Sequence, residues 1–299
     1  YEMTSSLVGS EMCIRDRGRV EQVPGGVSRN VVEDIANVEL RPTFVSLVDD
    51  TGLGADVVRQ LKNHKVNTDY VLPTPDGMGT WLAVFDNQGD VCAAISKRPD
   101  LRPLIALLDE KGDEIFRDAD SIALEIDMDK EIVKRTFRLA QKYGKPVYAV
   151  VANISIALER RDFLQSTDCF VCNQQEAGIL FSDDYSGKTP EEMIPIISAK
   201  VQAARIPAMI VTMGADGAVY ANLHGESGYC PARKLEVKDT TGAGDAFCAG
   251  AAIGLTYGKG LKEACEIGAM LAASVIVTSE SVCPRFRPRE LGLDMDVED

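Results

Sequence analysis

The hydrophobic and polar positions along the chain follow two alternating patterns. Short apolar runs, typical of strands buried in a sheet, are separated by segments whose apolar residues recur every three or four positions, as in helices. The runs predict strands at 43–48, 121–126, 146–152, 168–172 and 208–212. Helical spacing predicts helices at 27–38, 55–63, 130–142, 155–163, 190–204, 243–257 and 261–278, and a short one from Gln174. Strands alternating with helices predict a mostly parallel sheet covered on both faces.

A second class of predicted strand has no helix between its members. Such runs occur at 69–72, 80–86 and 91–95, and a short alternating run lies at 19–23. Residues 87–90, Asn-Gln-Gly-Asp, have the composition of a hairpin turn. We therefore predict a single α/β domain over 18–299, with lid strands around 19–23 and 68–96. Further on, hairpin strands are predicted at 217–221 and 227–230, and a strand-like run at 235–237.

The first 17 residues fit neither pattern. They lack the cationic start and apolar core of a secretory signal. They resemble the conceptual translation of a sequencing adapter, so we interpret 1–17 as a segment foreign to the protein. The alternative is a genuine flexible tail.

Composition narrows the function classes. Of 299 residues, 32 are Lys or Arg and 46 are Asp or Glu, which gives a net charge of −14. So acidic a chain is not expected to bind nucleic acid or an anionic membrane surface. No apolar run approaches the ~20 residues that cross a bilayer.

The eight cysteines are scattered, which predicts reduced thiols in the cytoplasm rather than a disulfide framework. Cys169 and Cys172 form a C-x-x-C spacing that could indicate zinc or redox chemistry. Because no second such pair follows and the two histidines are isolated, we interpret both cysteines as residues of a buried strand.

The segment with the clearest chemistry is Asp-Thr-Thr-Gly-Ala-Gly-Asp-Ala-Phe at 239–247, which opens an apolar helix. Gly242 and Gly244 allow a sharp turn, and free amides at a helix N-terminus attract an anion. A carboxylate beside a bound phosphate, here Asp245, makes sense as a base that takes a proton from an attacking hydroxyl. The alternative is an ordinary helix start with an Asp favoured by the dipole. Phe247 stands where a dinucleotide-binding turn requires glycine, which disfavours a Rossmann-type oxidoreductase.

With three other motifs in the same order, this segment resembles the PfkB, or ribokinase-like, family of carbohydrate and nucleoside kinases. The other motifs are Pro-Gly-Gly-Val-Ser-Arg-Asn at 24–30, Asn-Gln-Gln-Glu at 173–176 and Val-Thr-Met-Gly-Ala-Asp-Gly at 211–217. The resemblance covers about 18–291. It implies a ribokinase-like three-layer α/β/α sandwich with a mostly parallel central sheet and a small β lid. The implied activity is phosphorylation of a sugar or nucleoside hydroxyl by ATP.

The resemblance also implies roles for individual residues. Asp245 would be the catalytic base, and the amides of Gly242, Ala243 and Gly244 would form an anion hole for the transferred phosphoryl group. The ligand contacts that it implies are Asn173 and Glu176 for Mg²⁺ through water, Thr212, Gly214 and Gly217 for ATP, Gly25, Gly26 and Asn30 for substrate hydroxyls, and Asp239 and Thr241 for K⁺. Taken singly, each of these also fits a structural role, such as a first-turn helix carboxylate or a glycine turn after a strand.

Two departures from the family stand out. The family begins with a strand bearing an Asp that binds substrate hydroxyls, and residues 1–17 stand in its place. Glu39 and Asp49 stand where relatives have glycine, which predicts strain in turns that need positive φ. The alternative function is therefore a catalytically impaired or truncated ligand-binding member that lacks the first strand.

The substrate and the oligomeric state follow only from the resemblance. Arg29 before Asn30, and the stretch 278–284, resemble pseudouridine kinases, so pseudouridine is the expected substrate. Lids of the family pair between subunits, which implies a homodimer.

Overall fold

A computed structural model describes residues 25–85, 91–154, 158 and 161–293. Segment 1–17, the predicted strand 19–23, the turn at 87–90 and most of the predicted helix 155–163 lie outside the described residues.

In chain order, helices and strands alternate through most of the described residues. The helices are α1 (Val27–Asn37), α2 (Gly52–Asn63), α3 (Arg102–Asp118), α4 (Lys130–Tyr143), α5 (Arg161–Leu164), α6 (Gln174–Phe181), α7 (Pro190–Ala204), α8 (Ala243–Thr256) and α9 (Leu261–Ile276). The strands are β1 (Thr43–Asp49), β2 (Asn67–Thr74), β3 (Thr80–Phe85), β4 (Val91–Lys97), β5 (Ile122–Glu125), β6 (Val147–Val150), β7 (Cys169–Asn173), β8 (Ala208–Thr212), β9 (Ala218–Asn222) and β10 (Ser227–Cys230).

Within the described part of the chain, six strands form the central sheet in the order β10-β9-β8-β7-β6-β5. Strands β5 to β8 are parallel, and β9 and β10 extend the sheet as an antiparallel edge. The predicted mostly parallel α/β fold is confirmed. Because β5, β7 and β8 run parallel, their carboxyl ends lie at one edge of the sheet, where ligands of open α/β sheets bind.

Successive side chains of the central strands point to opposite faces, which produces three layers. Phe170 and Cys172 pack into the core cluster that contains residues of α3, α4 and α7. Cys169 and Val171 pack into a second core cluster on the opposite face, which contains residues of α8 and α9. The buried-strand interpretation of both cysteines is confirmed, and their opposite directions are incompatible with one shared metal ion.

Helix α1 packs where several elements meet, so its position decides the geometry of the site. Near its C-terminal end, Ile35 and Val38 pack against apolar residues of α8 and α9. On another side, Val32 and Ala36 pack against Leu61 of α2.

Three elements differ from the prediction. Helix α3 occupies a stretch with no predicted element. The run at 235–237 is not a strand: Leu235 and Val237 are largely exposed, and no neighbouring strand pairs with them. Strand β2 pairs in parallel with β1, whereas β3 and β4 form a separate antiparallel hairpin, so the residues near 68–74 lie outside that hairpin.

The two positions at which backbone strain is predicted, Glu39 and Asp49, behave differently. Glu39, just after α1, has a φ of 62°, the left-handed conformation that favours glycine. Asp49 is not among the described residues with positive φ. Its carboxylate instead accepts a hydrogen bond of 2.8 Å from the Met78 amide. Of these two positions, only Glu39 has the predicted backbone strain.

Candidate active site

The glycine-rich turn leads directly into α8. Gly242 has a φ of 80°, and a Cβ built on it would lie 1.9 Å from the Ser281 carbonyl oxygen, so only glycine fits. A Cβ on Gly244 would meet no atom within 4 Å. The Ala243 amide donates a hydrogen bond of 3.2 Å to the Thr240 carbonyl, whereas the Gly244 amide lies in the first turn of the helix, where amides lack intrahelical partners. An anion bound at this turn would contact the Gly244 amide directly and would compete with Thr240 for the Ala243 amide.

Asp245 lies in that first turn and is joined to α1. Asn30 Nδ2 donates a hydrogen bond of 2.6 Å to Asp245 Oδ2. Burial raises the pKa of Asp245, and the Asn30 hydrogen bond and the charge of Arg29 partly oppose the increase. A carboxylate with an elevated pKa is a better base near neutral pH.

Arg29 fixes the start of α1 around this contact. Its Nη1 lies 2.7 Å from Glu33 Oε1, and both side chains are nearly buried. It also donates to Asn30 Oδ1 and, at 3.3 Å, to Ser281 Oγ. The arginine therefore orients the amide that contacts Asp245.

Two carboxylates at the end of β5, Glu125 and Asp127, also lie at the site, although no sequence motif contains them. Ser28 Oγ donates to Glu125 Oε2 at 2.6 Å. Burial raises the pKa of Glu125, and Ser28 partly opposes it. Buried Asp127 accepts from the Ala152 amide at 2.9 Å, and its Oδ2 lies 3.6 Å from Arg98 Nη2, just after β4. The signal that identifies them is their place at the carboxyl end of a parallel strand.

Asn173 and Glu176 connect the end of β7 to the start of α6 in a capping box. The Asn173 side chain accepts from the Glu176 amide at 2.8 Å, and Glu176 Oε2 accepts from the Asn173 amide at 2.7 Å. Burial raises the pKa of Glu176, and so does the charge of Asp127. Thr212 is paired in register with Asn173, so the structure brings these two predicted residues together.

The remaining predicted residues lie in turns. Gly214 and Gly217 flank a short 3₁₀ turn after β8, and a Cβ on Gly217 would lie 2.2 Å from the Cys230 carbonyl oxygen. Gly26 precedes α1 with a φ of 108°, and the Gly25 carbonyl accepts from Arg29 Nε at 3.1 Å.

Asp239 is turned toward its own loop. Its Oδ1 accepts from the Thr241 amide at 2.8 Å, and this hydrogen bond lowers the pKa of Asp239. The described residues contain no cluster of three or more His, Cys, Asp or Glu suited to a metal ion. The free thiols are those of Cys169, Cys172, Cys230, Cys248, Cys265 and Cys283. Among the described helices, none has an apolar stretch of the length that a membrane span needs.

Comparison with known proteins decides the family. The model for the pfkB family carbohydrate kinases matches residues 4–285, a span that begins inside the segment 1–17. The chain belongs to the PfkB family. It is therefore a kinase of the carbohydrate and nucleoside class, and its central fold is that of the ribokinases.

Two relatives of this PfkB kinase carry substrate names. The guanosine-inosine kinase of Exiguobacterium acetylicum is 34% identical over 259 residues, which cover 86% of this chain and 84% of that protein. The pseudouridine kinase of Escherichia coli is 26% identical over 79% of this chain and 74% of that protein. Among solved structures, Arabidopsis thaliana ribokinase complexed with ribose and ATP has a TM-score of 0.75 at 19% identity, covering 94% of each chain.

Proposed function

We propose that this PfkB kinase transfers the γ-phosphoryl group of ATP to a hydroxyl of a nucleoside, with Asp245 as the catalytic base. The observation that carries the proposal is the 2.6 Å hydrogen bond between Asn30 and Asp245, directly behind the Gly242–Gly244 turn. It joins the residue expected to contact substrate hydroxyls to the residue expected to accept a proton.

In the proposed step, Asp245 removes the proton of the attacking hydroxyl. The hydroxyl oxygen forms a bond to the γ-phosphorus, the bond to the bridging β,γ-oxygen breaks, and ADP leaves. The amides of Gly242, Ala243 and Gly244 stabilise the charge on the transferred group. Because the chain carries a net charge of −14, backbone amides of this kind offset an overall field that repels ATP.

The residues near β7 fit a magnesium ion. Mg²⁺ prefers oxygen ligands and keeps several waters, and Asn173 and Glu176 offer an amide and a carboxylate at the sheet edge. The raised pKa of Glu176, caused by burial and by Asp127, marks a place where added positive charge is favourable. Bound there, the ion would neutralise charge on the phosphates of ATP.

Other assignments complete the proposal. Thr212, Gly214 and Gly217 line the nucleotide, and Gly25, Gly26 and Asn30 bind the substrate. The proposal also includes a monovalent cation near Asp239 and Thr241, which is tested by comparing turnover in K⁺ and in choline salts. It includes a homodimer formed by pairing of the β3–β4 hairpins, which is tested by sedimentation of the purified protein. The free thiols suit a reducing compartment.

Within the nucleosides, guanosine and inosine come first. The relative that acts on them is more similar to this chain than the pseudouridine kinase is. Pseudouridine, expected from the resemblance of 278–284, stays the second candidate.

A panel of guanosine, inosine, pseudouridine, adenosine and ribose, with ATP and Mg²⁺, tests the substrate. We expect ADP release to be fastest with guanosine or inosine. Preference for ribose by tenfold or more would overturn the nucleoside assignment. ADP release with none of the five, from protein that still binds a nucleoside, would favour the catalytically impaired alternative.

Asp245→Asn tests the mechanism. Loss of the base is expected to lower kcat by about 10²- to 10⁴-fold while leaving ATP affinity within about threefold. The matched control is Asp56→Asn, which makes the same replacement at an exposed carboxylate of α2 outside the site. Turnover of Asp245→Asn close to that of the unmodified protein would overturn the role of Asp245.

A further inference from the structure

A second buried carboxyl lies one helical turn after Asn30. Asp34 is on the same side of α1, is 0% exposed, and has no role in the proposed proton transfer. A charged or polar group so deeply buried is costly unless its partners repay the cost. Its partners therefore indicate what it does.

The partner of Asp34 is the backbone of a segment far along the chain. The Cys283 amide donates to Asp34 Oδ1 at 2.6 Å. One turn further on, Asn37 Nδ2 donates to the Cys283 carbonyl at 2.7 Å. Both backbone groups of Cys283 are thus held by α1. We call residues 281–283 the strap.

The other end of the strap lies on the glycine turn. The Ser281 carbonyl occupies the place where a Gly242 side chain would be, and Ser281 Oγ lies 3.3 Å from Asn30 Oδ1. A displacement of the strap would leave Gly242 without the carbonyl against which it packs. The Ser281 carbonyl that packs against the glycine turn is therefore held in place by hydrogen bonds from α1 to the strap.

We infer that Asp34 is a positioning residue that, by holding the Cys283 amide, fixes the strap against Gly242 and so keeps the amides of the glycine turn aligned for phosphoryl transfer. This rests on the proposed function of that turn. The role requires an acceptor oxygen at Asp34, not a negative charge. Consistent with this, Asp34 Oδ2 has no hydrogen-bond partner among the described residues.

The surroundings of Asp34 agree with a role that needs no charge. Asp245 and Glu33 are acidic groups close enough to raise its pKa, and the thiol of Cys283 lies 3.8 Å from its backbone oxygen. The charge of Asp34 also contributes to the raised pKa of the Cys248 thiol in α8. None of these neighbours supplies a positive charge to stabilise a carboxylate.

The kinetic test compares Asp34→Ala with Asp34→Asn. Ala removes the acceptor, whereas Asn keeps it. We expect Ala to lower kcat by about 10- to 100-fold, with the KM for the nucleoside changed by less than about threefold, because misaligned groups act on the transition state. Asn is expected to restore kcat to within about threefold of the unmodified protein. A kcat for Asn as low as that for Ala would overturn the inference.

A second readout does not depend on turnover. Hydrogen exchange of the intact protein should be at least tenfold faster in Asp34→Ala at 278–284 and at 239–245. The control is Thr167→Val, which removes a buried hydroxyl bonded to the Leu164 carbonyl at 2.7 Å and should change neither segment. Faster exchange at 278–284 alone, with 239–245 unchanged, would overturn the inference.

If Asp34→Ala does not fold, Asn37→Ala removes the other hydrogen bond to the strap and is expected to act in the same direction. Loss of stability in Asn37→Ala without change in kcat or in exchange at 239–245 would overturn the inference. If the unmodified protein has no kinase activity, the proposed function fails, and the exchange experiment still decides whether Asp34 holds the strap.

Discussion

Helix α1 and the β3–β4 hairpin both depart from the usual placement of residues, but in opposite ways. Helix α1 buries polar residues on its inner face, whereas the hairpin exposes apolar residues. Four polar residues of α1 are buried, with exposures of 6% or less: Asn30, Glu33, Asp34 and Asn37. Four large apolar residues of the hairpin are exposed by more than half: Trp81, Leu82, Val84 and Ile95. The first set has partners inside the chain, whereas the second has its apolar surface in solvent.

The difference separates a region that is organised by its own contacts from a region whose apolar surface lies in solvent. The polar face of α1 is held by specific hydrogen bonds to Asp245 and Cys283, so its arrangement precedes substrate binding. Exposed apolar surface is common where proteins bind a ligand or a partner, so we expect the hairpin to contact the nucleoside or a second copy. Stability should therefore respond strongly to changes in α1 and weakly to changes in the hairpin.

The largest effect should appear as a pH dependence of stability. Burial raises the pKa of Asp34 from its ordinary 3.8 to about 7, with further increases from Asp245 and Glu33 and opposition from the Cys283 hydrogen bonds. A raised folded pKa means that stability present below pH ~4 is lost as the pH rises toward ~7, up to about 4 kcal/mol. Urea unfolding at a series of pH values measures this loss.

Asp34→Asn supplies the comparison for that measurement. It should remove the part of the loss that Asp34 contributes between pH ~4 and ~7, because the amide does not titrate. Asp245, Glu125 and Glu176, whose pKa is also raised by burial, should keep their part. An equal slope in both proteins would show that Asp34 is not the group responsible. Thr167→Val, also buried but without a titrating group, should keep the slope of the unmodified protein.

The next effect concerns the Arg29–Glu33 ion pair. Arg29→Ala leaves a nearly buried Glu33 without its partner, and the expected loss is about 3 kcal/mol in the free energy of unfolding. The exposed pair Arg59–Asp56 is the control, since Arg59→Ala should cost less than about 1 kcal/mol. A loss below about 1 kcal/mol for Arg29→Ala would contradict the organised character of this face.

Sequence reasoning could predict the elements of this site better than the contacts between them. Periodicity located α1 and α8, and the motifs selected Asn30 and Asp245. The hydrogen bond between them depends on the packing of two helices 215 positions apart, which no local pattern encodes. The role of Asp34 could not be predicted for a similar reason. Its partner, Cys283, belongs to no motif and contributes a backbone amide.

The fold shows the same limit. Helix α3 lies in a stretch where no element is predicted, although its buried residues Leu104, Leu108 and Phe116 recur at the spacing of one helix face. The strand predicted at 235–237 does not form: Leu235 and Val237 alternate with charged residues, but alternation alone does not supply a neighbouring strand.

A smaller effect is expected at the end of α1. Glu39 has a φ of 62°, and Glu39→Gly should stabilise the protein by about 1 kcal/mol by relieving strain. Thermal and urea unfolding measure the gain. The control is Glu39→Ala, which keeps the Cβ and should give no such gain, whereas equal stabilisation by both would assign the effect to the lost charge.

The smallest effect on stability should come from the hairpin. Leu82 and Ile95 are cross-strand partners exposed by 57% and 68%, so replacing both with Thr keeps strand propensity and removes apolar surface that contacts little of the chain. The free energy of unfolding should change by less than about 0.5 kcal/mol.

The same double variant should nevertheless raise the KM for the nucleoside several-fold or weaken self-association, because the exposed apolar pair would cover one of these partners. Leu108→Ala, in the buried core, gives the opposite pattern: a loss of about 3 kcal/mol with little change in KM at a temperature where the protein stays folded. A loss above 1 kcal/mol in the double variant, with KM and sedimentation unchanged, would show that the hairpin contributes to the core. In that case the contrast with α1 would fail, because both regions would then be organised before any ligand binds.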